Sequence, residues 1–155
     1  MSADIEFVQQ RLALVQQELS QPSGHLRRGE DRGQAHQSDV SWRTIAYQRE
    51  ARLLHKLRTR ARPGGVLSLL RTWRQQMGQF ALEHRNQNKE ITHAHDEWAE
   101  APFHVRARIP EPPKPPAPRY VDCEGNRLIV DDALLTLLDD LIQRLGKWLS
   151  EDSGN

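Results

Sequence analysis

The sequence predicts a mainly α-helical fold, a long-helix coiled coil or helical bundle followed by a small C-terminal β-hairpin and a helix. Residues recur at alternating steps of three and four along one side of 3–20 and 65–100, and apolar residues recur at steps of four and seven along 41–61, which is the spacing of amphipathic helices. Beyond residue 100 the spacing changes to two, and a proline-rich run follows. Apolar residues make up only 37% of the chain and charged residues 28%, which favours a thin core spread along helices.

The first predicted helix, 3–20, carries one narrow apolar seam with the a/d pattern of two heptads, formed by Ile5, Val8, Leu12, Val15 and Leu19. A helix of this length is marginal in water on its own, so the seam must dock. We expect it to bind a partner subunit. Pro22 and Gly24 end the helix, and the polar residues 21–40 predict a mobile loop.

The second predicted helix, 41–61, begins after an N-cap on Asp39 or Ser41 and ends before Pro63. Its spacing predicts a buried side that carries Trp42, Ala46, Leu53, Leu57 and Ala61.

The third predicted helix, 65–100, keeps the alternation of three and four from Val66 to Trp98. As one continuous helix it is on the order of 50 Å long, and such a length is typical of coiled coils and extended bundles. His84 and Gln87 interrupt the apolar seam, and a polar layer of this kind commonly fixes register. Together the three helices predict an antiparallel coiled coil or bundle as a helical body spanning 1–100.

The segment 101–119 predicts a strand and a tether. The strand follows from the alternation of Phe103, Val105, Ala107 and Ile109 with polar residues. Six prolines between Pro110 and Pro118 predict an extended polyproline II spacer of roughly 25 Å. Their P-x-x-P spacing, with Lys114 nearby, leaves open a second interpretation as a ligand for an aromatic groove.

The last segment, 120–155, predicts a β-hairpin and an acidic amphipathic helix. Two short apolar runs flank the turn-rich residues 122–126, and Asp131 or Asp132 caps a helix to about Leu149. The apolar face of this helix consists of Leu134, Leu138, Leu141, Ile142, Leu145 and Trp148. We expect partner contacts from three of these side chains and from the end of the third helix, namely Leu138, Leu141, Trp148 and Trp98.

Charge is distributed unevenly along a chain whose net charge is only +1. Ten Lys or Arg residues and two acids lie between Ser41 and Arg85, whereas eight acids and four bases lie between Arg119 and Asn155. The helical wheel places the basic residues of the second helix beside its apolar face, and two more follow in the third helix. We predict a nucleic-acid contact through Arg49, Arg52, Lys56, Arg60, Arg71 and Arg74. Pairing of the basic and acidic ends between subunits is the alternative.

The residues offer little for catalysis. There is no glycine-rich phosphate loop and no nucleophile, base and acid in a recognisable context. His93 and Glu97 lie one helical turn apart, but two ligands fall short of a zinc site, and a metal-dependent enzyme centred on them is a remote alternative. The single cysteine, Cys123, indicates a reducing compartment and a packing or turn role.

These observations predict a non-catalytic structural or adaptor subunit of a macromolecular assembly, with a basic helical face that contacts nucleic acid. The alternative is a protein–protein coiled-coil scaffold without nucleic-acid binding. The expected partners are protein subunits, in self- or hetero-assembly, and DNA or RNA; no cofactor, metal, membrane or small-molecule substrate is expected. Without a signal peptide or a spanning segment, the expected location is cytoplasmic.

Overall fold

The structure is a computed structural model that describes residues 2–21, 34–121 and 125–153, with the backbone alone for 34–41 and 152–153. The elements run in the order α1 (Ala3–Ser20), α2 (Gln34–Arg60), α3 (Val66–Gln87), α4 (Lys89–Glu100), α5 (Phe103–Arg106), β1 (Arg119–Val121), β2 (Arg127–Ile129) and α6 (Asp132–Ser153). The mainly helical fold with a C-terminal hairpin and helix confirms the predicted fold class. No helix in these ranges is long and apolar enough to cross a bilayer.

The helix α2 begins at Gln34, inside the stretch that the sequence predicts as a mobile loop. The loop was predicted because these residues offer almost nothing apolar. A helix that is already nucleated downstream, however, gains one hydrogen bond for each residue it adds and needs no core of its own. The remainder of the predicted loop, 22–33, lies outside the described residues, as does Cys123.

The predicted continuous helix 65–100 is interrupted at Asn88, so that prediction is wrong. Asn88 has φ −109° and ψ 17°, and it separates α3 from α4. Its side-chain amide donates to the carbonyl oxygen of His84 at 2.9 Å. A side chain that bonds the preceding turn competes with regular helix geometry, which is why asparagine is disfavoured inside helices.

The predicted strand at 103–109 is also wrong, because Phe103–Arg106 form the short helix α5. The carbonyl oxygen of Pro102 accepts hydrogen bonds from the backbone N–H groups of Val105 and Arg106, at 2.9 and 3.0 Å. Phe103, expected on a buried strand face, is 77% exposed. A strand also requires a neighbour to satisfy its backbone, whereas this turn satisfies its own.

The chain divides into two compact units. The first, here called the helical unit, comprises Met1–Thr72 and Leu137–Asn155; the second, here called the strap unit, comprises Trp73–Thr136. In the helical unit α1 packs against α2. The buried apolar side chains of this unit are Phe7, Val8, Leu12, Val15, Leu53, Leu54, Leu57, Val66, Leu70, Leu138, Leu141 and Leu145.

Two side-chain contacts join α1 to α2. Arg11 donates to both carboxylate oxygens of Glu50, with the shortest distance 2.7 Å, and Gln16 approaches His55 to 3.5 Å. Residue numbers therefore rise in the same direction along α1 and α2 at this contact. In an antiparallel coiled coil the residue numbers of one helix fall as those of the other rise. The contact between α1 and α2 therefore does not have the antiparallel order that we expected.

The start of α3 is capped by a carboxylate from α1. Asp4 is buried, and it accepts hydrogen bonds from the Ile5 N–H at 2.9 Å and the Val66 N–H at 3.2 Å. Burial alone raises the pKa of Asp4, but hydrogen bonds from Ser2 and from backbone N–H groups, including those of Gly64 and Val66, hold this pKa below its ordinary value. Asp4 thus joins two helix N-termini, where a negative charge is favourable.

In the strap unit, residues 109–118 form an extended segment, here called the proline strap, that returns along α4 and α3. The indole Nε1–H of Trp98 donates to the Ile109 carbonyl at 3.2 Å. Beyond the strap, the Tyr120 ring meets the Phe80 ring edge-on at 5.4 Å between centroids. The end of the strap therefore lies against an earlier part of the helical run than its start does, which makes the strap antiparallel to α4 and α3.

The proline strap presents one edge inward. Half-buried positions recur at every third residue, Pro112, Pro115 and Pro118, and the residues between them are exposed. This is the period of a polyproline II helix, which has three residues per turn. The strap thus lies along the body of its own unit.

The hairpin is found where the sequence predicts it. Arg119 pairs with Ile129 and Val121 with Arg127 in the antiparallel register, and Gly125 has φ +83°, a conformation that glycine adopts at no steric cost. The Asp131 carboxylate accepts a hydrogen bond from the Leu134 N–H at 2.9 Å. Asp131 therefore caps α6, as predicted.

Candidate nucleic-acid interface

Six basic residues were predicted to contact nucleic acid, four on α2 and two on α3, and the structure does not leave them as one free ridge. Arg52 and Arg71 are exposed. The other four, Arg49, Lys56, Arg60 and Arg74, are half-buried, and each already interacts within the chain. Their positions beside the apolar face carry their stems into it, because long basic side chains bury their methylene groups and keep the charge near water.

The two basic residues predicted on α3 also differ from each other in exposure. Arg74 lies over Gly78: a Cβ built on that glycine would be 2.5 Å from a terminal guanidinium nitrogen of Arg74. The absence of a side chain at Gly78 gives this guanidinium its place on the helix surface. Arg71, one turn earlier, is exposed.

The exposed face of α2 includes two large apolar side chains, one of which was predicted to be buried. Trp42, predicted on the buried side, is 70% exposed, and Ile45 is 45% exposed. No side chain from Trp42 to Arg49 is buried. The spacing misassigned Trp42 because the first buried side chain among the described residues of α2 is Glu50, two turns later, so this end of the helix has no core to face.

The positions on this face follow steps of three and four, and they form what we call the α2 stripe: Trp42, Ile45, Arg49, Arg52 and Lys56. At 3.6 residues per turn they lie within about a quarter of the helix circumference. The stripe is therefore aromatic and aliphatic at one end and cationic at the other.

Between Trp42 and Arg60 the helix α2 exposes no acidic side chain. Between Trp42 and Arg60 there are six Lys or Arg residues and one acid, Glu50. Glu50 is buried against Arg11, whose pKa is raised by the hydrogen bonds to Glu50 against the cost of desolvation. Because the only acid of this stretch is buried against Arg11, the charged side chains that α2 exposes between Trp42 and Arg60 are all cations, namely Arg43, Arg52 and Arg58.

The residues predicted to bind a partner lie mostly in the core. Val8, Leu12, Val15, Leu138 and Leu141 are buried within the chain, and the remaining four, Ile5, Leu19, Trp98 and Trp148, are half-buried. The apolar seams are covered by the chain's own helices in this structure, so these side chains form core and not an exposed docking surface. A sequence gives the seam but not the chain that covers it.

The two tryptophans in this set have partners within the chain. The Trp148 ring packs on the Phe7 ring, 5.9 Å between centroids, and its Nε1–H donates to the Ala3 carbonyl at 2.9 Å. Trp98 bonds Ile109 as described above, and the Arg106 guanidinium carbon lies 6.0 Å from the centroid of its ring. Both indoles therefore form hydrogen bonds with backbone carbonyl groups of the same chain.

The candidate metal ligands come together only as a pair. His93 Nε2 lies 3.3 Å from Glu97 Oε1, and both side chains are exposed. Within the described ranges no three His, Cys, Asp or Glu side chains are arranged to hold a metal ion. His95 instead meets Glu111 at the start of the proline strap, at 3.2 Å.

Comparison with known proteins adds no relative: no family model matches the sequence, and the searches of curated proteins and of solved structures found no match.

Proposed function

We propose that this chain is a non-catalytic binding subunit that contacts the phosphate backbone of nucleic acid through the cationic part of the α2 stripe. One observation supports the proposal most directly: between Trp42 and Arg60 α2 carries six cations, and the single acid of that stretch is buried against Arg11. Phosphate contacts by Lys and Arg release counterions and supply most of the affinity for nucleic acid. We further propose that the protein acts in a reducing compartment such as the cytoplasm, since its single cysteine cannot form a disulfide within the chain.

The contact surface differs from the one that the sequence favours. Arg52 is the exposed cation of the stripe, whereas Arg49 and Lys56 are half-buried and interact within the chain. Arg52 is therefore the residue to test, since its replacement disturbs no core contact.

The test is binding of fluorescently labelled DNA and RNA, single-stranded and duplex, at ~50 mM salt, followed by a salt titration. Each phosphate contact contributes about −0.9 to the slope of log affinity against log salt on duplex DNA and about −0.7 on a single strand. We expect Arg52→Gln to weaken binding and to make the slope less negative by about that amount.

The matched control is Arg85→Gln, which removes an exposed arginine from the last turn of α3. It should leave both affinity and slope unchanged. Absence of binding to every nucleic acid at low salt would sink the proposal, and equal effects of the two substitutions would show attraction without a defined surface.

A protein–protein scaffold without nucleic-acid binding is the second candidate. The exposed face of the hairpin favours it, because Val121 and Ile129 are exposed there beside Arg119 and Arg127. The support is weaker, since the apolar seams from which the scaffold was predicted are buried within the chain.

A further inference from the structure

Trp42 on α2 is an indole that no buried side chain adjoins on its own helix before Glu50, among the side chains that the structure describes. Trp42 is 70% exposed, and its neighbours Arg43, Ile45 and Ala46 are exposed as well. Tryptophan is normally buried over most of its surface, and the other three tryptophans of this chain are half-buried. An indole in this position is available to a ligand.

Helical geometry places this indole and a cation within the same quarter of the helix circumference. Trp42, Ile45 and Arg52 lie on the α2 stripe, and the ten residues from Trp42 to Arg52 rise roughly 15 Å. At 3.6 residues per turn Trp42 and Arg52 leave the helix about 80° apart, so a flat apolar surface and a positive charge lie at the two edges of one quarter of the helix circumference. The complementary ligand is a linear polyanion that also carries flat rings.

Single-stranded nucleic acid has this chemistry, because its bases expose their faces while its phosphates carry the charge. Proteins that hold single strands combine a positive track with aromatic side chains on which bases stack. In a duplex the base faces are stacked on each other, and the grooves present only base edges. A duplex therefore satisfies Arg52 but leaves the Trp42 ring without a partner.

A partner helix or a lipid surface fits the stripe less well. A helix bound in a groove needs apolar anchors over about two turns, whereas this stripe is apolar at two positions only and then cationic. An interfacial helix needs a broad apolar face, but the leucines of α2, Leu53, Leu54 and Leu57, are buried in the core.

We propose that the ligand of the α2 stripe is single-stranded nucleic acid, with a base stacked on Trp42 and the backbone held toward Arg52. The proposal rests on the proposed function and names its substrate class. Ile45, between the two, supplies apolar contact for the next base or sugar.

The experiment measures the affinity of the full chain for labelled oligothymidine and oligouridine of ~15 nucleotides and for a duplex of the same length. Stacking of one base on an aromatic side chain is worth about 1–3 kcal/mol. Trp42→Ala should therefore weaken single-strand binding by about 5-fold to about 150-fold and leave duplex binding unchanged. Trp42→Phe should restore most of the loss, since phenylalanine keeps a ring.

The matched control is Phe103→Ala, which removes a comparably exposed aromatic side chain, 77% exposed, from the strap unit. It should bind single strands like the unaltered chain. Intrinsic fluorescence gives a second readout, because stacking quenches the indole: the Trp42→Ala variant should lose quenching that the Phe103→Ala variant keeps.

The outcomes separate the two proposals. If no nucleic acid binds, the proposed function fails and this inference with it. If single strands and duplexes bind equally and Trp42→Ala changes neither, the proposed function stands and single-strand recognition is overturned. Binding to vesicles of anionic lipid or to a partner protein through Trp42, without binding to oligonucleotides, overturns both.

Discussion

The helical unit and the strap unit cover the apolar sides of their helices with different elements. Of the fifteen buried apolar side chains described, twelve belong to the helical unit and three, Met77, Val130 and Leu134, to the strap unit. The helical unit packs helix on helix. The strap unit covers α3 and α4 with an extended segment fastened by ring contacts and hydrogen bonds.

Similar spacing of apolar residues on two helices therefore does not imply that truncating them costs the same free energy of unfolding. A close-packed side chain loses dispersion contacts when it is truncated, whereas a half-exposed one is replaced by water. Stability should therefore be concentrated in the helical unit, and local opening in the strap unit.

The largest expected effect comes from a matched pair of leucines. Leu54 on α2 is fully buried, and Leu82 on α3 is 49% exposed. We expect Leu54→Ala to lower the free energy of unfolding by about 2–5 kcal/mol and Leu82→Ala by less than about 1 kcal/mol. Urea unfolding followed by circular dichroism measures both, and similar losses for the two variants would refute the contrast between the units.

An intermediate effect is expected at the shared helix cap. Asp4→Asn keeps the side-chain shape but removes the charge that faces the Val66 N–H, and it should cost about 1–2 kcal/mol at neutral pH. Because the folded pKa of Asp4 lies below its unfolded value, this stabilisation is fully present above the unfolded pKa and is lost as pH falls through the folded pKa.

The measurement for Asp4 is the stability of both proteins from pH 7 down to pH 2. Their difference should shrink only in the acid range, below the ordinary pKa of an aspartate. Asp96→Asn, an exposed substitution on α4, serves as the control and should track the unaltered chain. A gap between Asp4→Asn and the unaltered protein that does not change with pH would contradict an ionised cap.

The smallest and most local effect is expected where the proline strap begins. Trp98→Phe removes the hydrogen bond to the Ile109 carbonyl and should cost about 1 kcal/mol. Amide hydrogen exchange of 107–109 should become faster while exchange within α1 and α2 stays the same. The control is His93→Ala on the same helix, where the side chain is 74% exposed; it should change neither the stability nor the exchange at 107–109. Unchanged exchange at 107–109 in Trp98→Phe would mean that the indole does not hold the start of the proline strap.

The sequence predicts the helices, the hairpin and most buried positions, because amphipathic spacing and turn residues act locally. It does not reveal which chain covers a seam. The seam at Val8, Leu12 and Val15 was therefore assigned to a partner subunit, although the chain buries it itself. The strand at 103–109 was wrong because alternation alone cannot supply a neighbouring strand.

The candidate site was predictable in part. Spacing and charge identified Arg52 and its line on α2 from the sequence. The exposure of Trp42 was not predictable, because it depends on how far along α2 the core extends. Nor was the burial of Glu50, whose partner Arg11 is 39 residues away in sequence and follows no local rule.

The inward edge of the proline strap, formed by Pro112, Pro115 and Pro118, restricts which insertions and deletions the strap unit can accept. Deletion of one strap residue turns everything after it by a third of a turn, so the inward edge is preserved only when residues are gained or lost in threes. Three such residues span about 9 Å, and seven helical residues span about 10.5 Å and return to nearly the same helix face. A longer or shorter version of this unit should therefore couple each proline triplet to one heptad of α3 and α4.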